Sequence, residues 1–217
     1  EDVFPENYAS SRDRASGAHL IIAYLAENVS ITGTGKIDGN SAAFFDPLPE
    51  SITATYRYKN GDHPFTWRTG AMIYFCRCKR VAVRESMLLN SPYWTLLLLG
   101  CDDVQIHGLT IESPPATRNG DGIDIDCCRR VNVSDCIIRT GDDCITLRGN
   151  KRPLGPNAQP CEDITVTGCV LSTPCNAIRV GVGLGEIRRA SFSNIIVSDS
   201  RTAINIVSSY SEDSHGA

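Results

Sequence analysis

Two short segments hold the residues best equipped for chemistry: Asn119-Gly120-Asp121-Gly122-Ile123-Asp124 and Thr140-Gly141-Asp142-Asp143-Cys144-Ile145. Asp121 and Asp142 stand 21 residues apart, each just ahead of a short strand-like stretch. Aligning Gly122-Ile123-Asp124-Ile125 with Cys144-Ile145-Thr146-Leu147 sets Asp121 beside Asp143, with Asp142 one step along. Three carboxylates then gather at one spot on an outer surface. Like charges that close raise at least one pKa, which is how a carboxylic acid stays protonated near working pH. One protonated and one ionised carboxyl are the minimum equipment for hydrolysing a glycosidic bond. The structural alternative is a pair of tight corners, which Asp and Gly also suit. A calcium site is a third reading, since Asn119, Asp121, Asp124 and Asp126 are oxygen donors. Their order does not fit an EF-hand loop, and Asp124 and Asp126 are expected on a face different from that of Asp121.

Elements able to bring such residues together recur along the chain. Asn28-Val29-Ser30-Ile31, Arg80-Val81-Ala82-Val83, Asp103-Val104-Gln105-Ile106, Arg130-Val131-Asn132-Val133, Asp163-Ile164-Thr165-Val166 and Arg189-Ala190-Ser191-Phe192 each open on a polar residue and then alternate. That period of two is the signature of a strand with one buried face. From Val81 onward the starts are 23, 27, 33 and 26 residues apart. A second short strand follows several of them, such as Ile137-Ile138, and then a third, such as Ala177-Ile178-Arg179-Val180. Three strands per repeat of this length predict the coils of a parallel β-helix, whose inward faces are buried only by stacking. Residues 1–217 are expected to form a single β-helix domain that continues beyond both ends. Residues 40–69, rich in aromatics, read as a loop inserted between coils. Its rings could stack on a sugar or pack over a coil edge. Residues 149–159 read as a second, smaller bulge.

Composition narrows the field. The net charge of -4 does not favour a nucleic-acid backbone. The longest apolar run, Leu96 to Leu99, is far short of the roughly 20 residues a membrane-spanning helix needs. The opening Glu1-Asp2-Val3-Phe4-Pro5 does not read as a signal peptide. The ten cysteines lack the spacing of a zinc site and are expected to pack as small buried hydrophobes.

The acidic segments resemble the NTDG and (G/Q)DD motifs of family 28 glycoside hydrolases, the polygalacturonases and their relatives. Gly33-Thr34-Gly35-Lys36-Ile37-Asp38-Gly39 is similar to that family's GxGxIDG segment, and Asn90-Ser91-Pro92-Tyr93-Trp94 to its NSPxW. The motifs fall in family order between about residues 30 and 207. The resemblance implies a right-handed parallel β-helix of the pectin-lyase-like type that hydrolyses glycosidic bonds with inversion, using no metal and no cofactor. It implies Asp142 as the general acid, Asp121 and Asp143 as holders of the attacking water, and Asn119 as an aid to their placement. Two motifs differ. The expected GHG histidine is replaced by Cys175-Asn176-Ala177-Ile178, and the RIK pair by Ile204-Asn205-Ile206-Val207.

Arginine supplies 17 of the 21 basic residues, and Arg118, Arg148 and Arg179 stand near the carboxylates in sequence or on third strands. Arg148 and Arg179 either bind an acidic substrate or serve as solvated partners of Asp124 and Asp126. Asn119, Arg148, Asn176 and Arg179 are the expected substrate contacts. The expected partner is a pectin-like polysaccharide, with no nucleic acid or membrane, acted on by a secreted or periplasmic monomer. Two other readings share the scaffold: a polysaccharide lyase, which needs calcium and a base, and a non-catalytic carbohydrate-binding solenoid of the adhesin or tailspike kind.

Overall fold

The structure, a computed structural model, describes Glu6, Ser10 and residues 13–45 and 67–207. Short β-branched and leucine-rich runs, each ended by a corner, leave no room for long helices among the described residues. The chain winds instead through strands that pair only with their counterparts in the coils before and after.

Three parallel sheets result. The first contains β1 (Ile21–Tyr24), β4 (Ile73–Cys76), β7 (Leu96–Leu99), β10 (Ile123–Asp126), β13 (Ile145–Arg148), β16 (Asn176–Val182) and β19 (Thr202–Ile206). The second contains β2 (Glu27–Thr32), β5 (Lys79–Arg84), β8 (Asp102–His107), β11 (Arg129–Ser134), β14 (Cys161–Thr167) and β17 (Ile187–Ser193). The third contains β3 (Lys36–Asp38), β6 (Met87–Leu89), β9 (Thr110–Glu112), β12 (Ile137–Arg139), β15 (Val170–Ser172) and β18 (Ile196–Ser198). This is the parallel β-helix that the repeat predicts. Val29, Val81, Val104, Val131, Ile164 and Ala190 stand in register, as the spacing requires.

Stacking turns each inward position into a column. Val83, Ile106, Val133 and Val166 form one, Leu88, Ile111, Ile138 and Leu171 another, and Phe75, Leu98, Ile125 and Leu147 a third, all fully or almost fully buried. Each buried aliphatic side chain contributes about 1.5–3 kcal/mol relative to exposure, and the columns are continuous because no single coil could bury them alone. All ten cysteines are free and buried, as expected of small interior hydrophobes.

The outward face of the first sheet is covered too. Tyr74, Leu97, Leu99 and Cys127 pack with Ala15 and with Leu154 from α1 (Lys151–Leu154), the one-turn helix inside the bulge expected at residues 149–159. Of the loop expected over 40–69, residues 46–66 lie outside the described residues. Phe45 packs on Arg68, its ring centroid 5.5 Å from the guanidinium carbon, and Trp67 is exposed.

Candidate active site

The acidic residues meet where the chain turns from the third sheet into the first. Register places Ile123 beside Ile145, so Asp121 and Asp143, each two residues earlier, fall on neighbouring coils. Two glycines make the corner tight enough. A Cβ on Gly122 would lie 2.5 Å from the carbonyl oxygen of Cys144, and one on Gly141 would lie 2.4 Å from that of Thr117. The charge of Asp124 also bears on Asp121, more strongly than those of Asp142 and Asp143.

Each carboxylate is held differently. Asp142 accepts the backbone N–H of Asp143 at 3.0 Å and that of Asn119 at 3.3 Å, while Thr140 and Thr173 hydroxyls donate to its main-chain carbonyl. Asp143 accepts from Asn176 Nδ2 at 2.6 Å and N at 3.2 Å on one oxygen, and from Arg179 Nη1 at 3.1 Å on the other. Asp124 accepts from Arg148 Nη1 at 2.9 Å, and Arg148 Nε lies 3.7 Å from Asp126. Asp124 Oδ2 is buried with no hydrogen-bond partner among the described residues.

Burial dominates the electrostatics. Asp121, Asp142 and Asp143 are 5%, 7% and 1% exposed. Burial, followed by the charge of Asp143, raises Asp142 to about 6. Burial, then the charges of Asp124, Asp142 and Asp143, pushes Asp121 well above the usual carboxylate range. Asp124 rises to about 7 through burial, although Arg148 opposes it. The protons belong to the cluster as much as to its members, and some remain bound near neutrality.

Arginines and aromatic rings frame these acids. Tyr93 and Trp94 stack with centroids 4.8 Å apart, and the guanidinium carbons of Arg68 and Arg148 lie over their rings, 4.6 Å from the Tyr93 centroid and 4.4 Å from that of Trp94. Arg68 is 1% exposed and was not singled out from the sequence. It donates to the carbonyls of Asp13, Pro92 and Arg118 and, through Nη2, to Asn119 Oδ1 at 3.0 Å. Asn119 is in the left-handed region (φ 52°), so Arg68 fixes the residue whose N–H faces Asp142. Arg68 joins segments about 20 to 55 residues away, and no local pattern announces such a hub.

Of the other expected contacts, Asn176 and Arg148 are 2% and 3% exposed and turn toward carboxylates, while the Arg179 side chain is 14% exposed. Arg148 is thus the partner of Asp124 and Asp126, in a buried setting and not a solvated one. A carboxylate oxygen of Asp142, one of Asp143 and Cys175 Sγ lie within 4.8 Å of one another. Asn176, Arg179 and Arg201 already donate to Asp143 and the sulfur, so this set fits a hydrogen-bonded cluster better than a cation site.

A buried carboxylate cluster at one corner of a parallel β-helix sets the class of fold and site. The family profile of "Glycosyl hydrolases family 28" matches residues 5–154, and the chain belongs to that family. A polygalacturonase of Chamaecyparis obtusa is 34% identical over 118 residues, 54% of this chain and 22% of that protein. A probable polygalacturonase of Vitis vinifera is 26% identical over 207 residues, 92% of this chain and 40% of that one. The chain thus spans less than half the length of either relative. The crystal structure of an exopolygalacturonase from Thermotoga maritima superposes with a TM-score of 0.70 at 21% identity, over 87% of this chain and 48% of that one. The polygalacturonase from Erwinia carotovora does so with a TM-score of 0.70 at 18% identity, over 95% and 53%. The fold is the right-handed parallel β-helix of these neighbours.

Proposed function

We propose that the protein hydrolyses O-glycosidic bonds of a pectin-like polysaccharide with inversion. Asp142 delivers a proton to the leaving oxygen, and Asp121 and Asp143 hold and activate the attacking water. The observation that carries this reading is the raised proton affinity of Asp142 beside Asp143, whose oxygens are fixed as acceptors by Asn176 and Arg179. A carboxyl with a pKa of about 6 keeps its proton where a neighbour can act as base. A binding-only solenoid would have no use for a buried group of this kind, which is costly to keep. Arg179 is the cation best placed to meet an acidic sugar, with Asn119 beside the acid, while Arg148 and Asn176 act through the carboxylates they hold. The relatives' names agree with a galacturonate-rich substrate. A secreted or periplasmic monomer belongs to the same reading.

The test is reducing-end release from a panel of pectic and neutral polysaccharides by the protein and its Asp142→Asn variant. Release from a pectic substrate, falling by a factor of about 100 or more in the variant, is expected for loss of a general acid. Equal release by both proteins would overturn the assignment of Asp142.

A further inference from the structure

The corner position of Asp142 is occupied in the next coil by Cys175 and in the one after by Arg201, because Ile145 pairs with Ile178 and Asn176 with Thr202. Cys175 is fully buried, and its sulfur receives two hydrogen bonds, from Arg201 Nη2 and from Asn176 Nδ2, each at 3.3 Å. Its own N–H donates to Thr173 Oγ1 at 3.1 Å, and Thr173 donates in turn to the main-chain carbonyl of Asp142. Backbone and side chain of Cys175 are therefore both tied to the same corner.

A thiol has one proton to donate and a sulfur that accepts weakly. With two donors on the sulfur, the proton is left to face the carboxylates lying within 4.8 Å. Asp143 already accepts from Asn176 and Arg179 on its two oxygens, whereas the Asp142 carboxylate accepts the main-chain N–H groups of Asn119 and Asp143 and has room for a further donor. Cys78, Cys101, Cys128, Cys136 and Cys169 instead donate to carbonyls of their own corners, two residues back in the chain. Cys175 is used differently.

We propose that Cys175 is a positioning residue for Asp142: its thiol donates a hydrogen bond to the Asp142 carboxylate, and Arg201 and Asn176 hold the sulfur so that it does. The proposal rests on the reading of Asp142 as the acid. Around this carboxyl, Asp143 and Asp121 disfavour its charge, Arg179 favours it, and the N–H groups of Asn119 and Asp143 favour it as well, while Arg201 reaches the sulfur of Cys175. The contact with Cys175 acts with the second group, against burial and Asp143. Donation to the charged form lowers a pKa, so removing the thiol makes Asp142 hold its proton to higher pH.

The experiment is a carboxyl 13C NMR titration of aspartate-labelled protein, with Asp142 identified by its absence in Asp142→Asn. Cys175→Ala is expected to raise the Asp142 midpoint by about half a pH unit or more, and Cys175→Ser, which keeps a donor, to leave it near that of the unmodified protein. Cys175→Val fills the space without a donor and gives the same reading if the alanine variant folds poorly. An unchanged midpoint in the donor-free variants would overturn the proposal. In turnover, the basic limb of the pH profile moves up with the midpoint. The titration needs no substrate, so absent hydrolysis would overturn the reading of the site while the midpoint still decides the role of Cys175.

Discussion

Aspartate and arginine meet in successive coils at two places, and the outcomes are opposite. Along the second sheet, one register column runs Glu27, Lys79, Asp102, Arg129, Glu162 and Arg188, alternating in sign from coil to coil. The next position runs Asn28, Arg80, Asp103, Arg130, Asp163 and Arg189, all in the left-handed region with φ between 52° and 60°. Arg130 grips Asp103 through Nε and Nη2, and Arg189 grips Asp163 the same way. In this exposed ladder the arginine hydrogen bonds hold Asp103 and Asp163 below the usual carboxylate range. At the first-sheet corner the same residue types are buried, and Asp121, Asp124 and Asp142 move upward. Water decides the difference. An exposed carboxylate keeps its hydration and gains a partner, whereas a buried one loses more hydration than its arginine returns. The ladder fixes which coil lies on which, since a slip by one coil would set like charges together. The cluster stores protons.

The largest test of this contrast is Arg148→Met. Removing one partner from a buried ion pair is expected to cost about 3 kcal/mol of unfolding free energy at pH 8, where Asp124 and Asp126 would be ionised without a cation. Arg148 lowers the pKa of both, so its loss lets them keep protons more readily, and the cost is expected to shrink at pH 5. Guanidinium midpoints at the two pH values measure this. An equal loss at both would mean that the cluster behaves like the surface.

A smaller effect follows from linkage. Asp124 rises from its ordinary 3.8 to about 7, so the folded protein binds this proton more tightly than the unfolded chain does. The burden it places on stability is absent below the ordinary value and grows as pH rises toward 7. Asp124→Asn is expected to flatten the decline of stability over that window, by at most about 1.4 kcal/mol per pH unit. A slope that stays the same would show that Asp124 is ionised throughout.

The strand columns and the pairing of Asp121 with Asp143 were legible in the sequence because both follow from local alternation plus coil spacing. The Asp142–Cys175–Arg201 column is equally a matter of register, but it crosses positions where the residue type changes in every coil, so no repeat marks it. Arg68 was missed because its partners, Asp13, Pro92, Arg118 and Asn119, come from three separate stretches of chain. The sign alternation of the ladder is written plainly in Lys79, Asp102, Arg129 and Glu162, yet it has meaning only once the coils are aligned.

The smallest expected effect belongs to the ladder itself. Arg130→Gln keeps a long polar side chain on the same left-handed backbone, so the strain of φ 55° is common to both proteins and cancels. What remains is the pair with Asp103, whose side chains are 50% and 46% exposed, and a longer contact with Asp102 at 3.8 Å. Such a pair is worth less than about 1 kcal/mol, and 1 M salt should remove most of that, since screening then acts within about 3 Å. Its pH dependence runs against that of the cluster: the lowered pKa of Asp103 gives stability above the ordinary 3.8 that fades as acid protonates the folded form. Chemical denaturation by urea, with and without salt, separates the two regions. If Arg130→Gln cost as much as Arg148→Met, or if salt left its cost unchanged, exposure would not be what divides the ladder from the cluster.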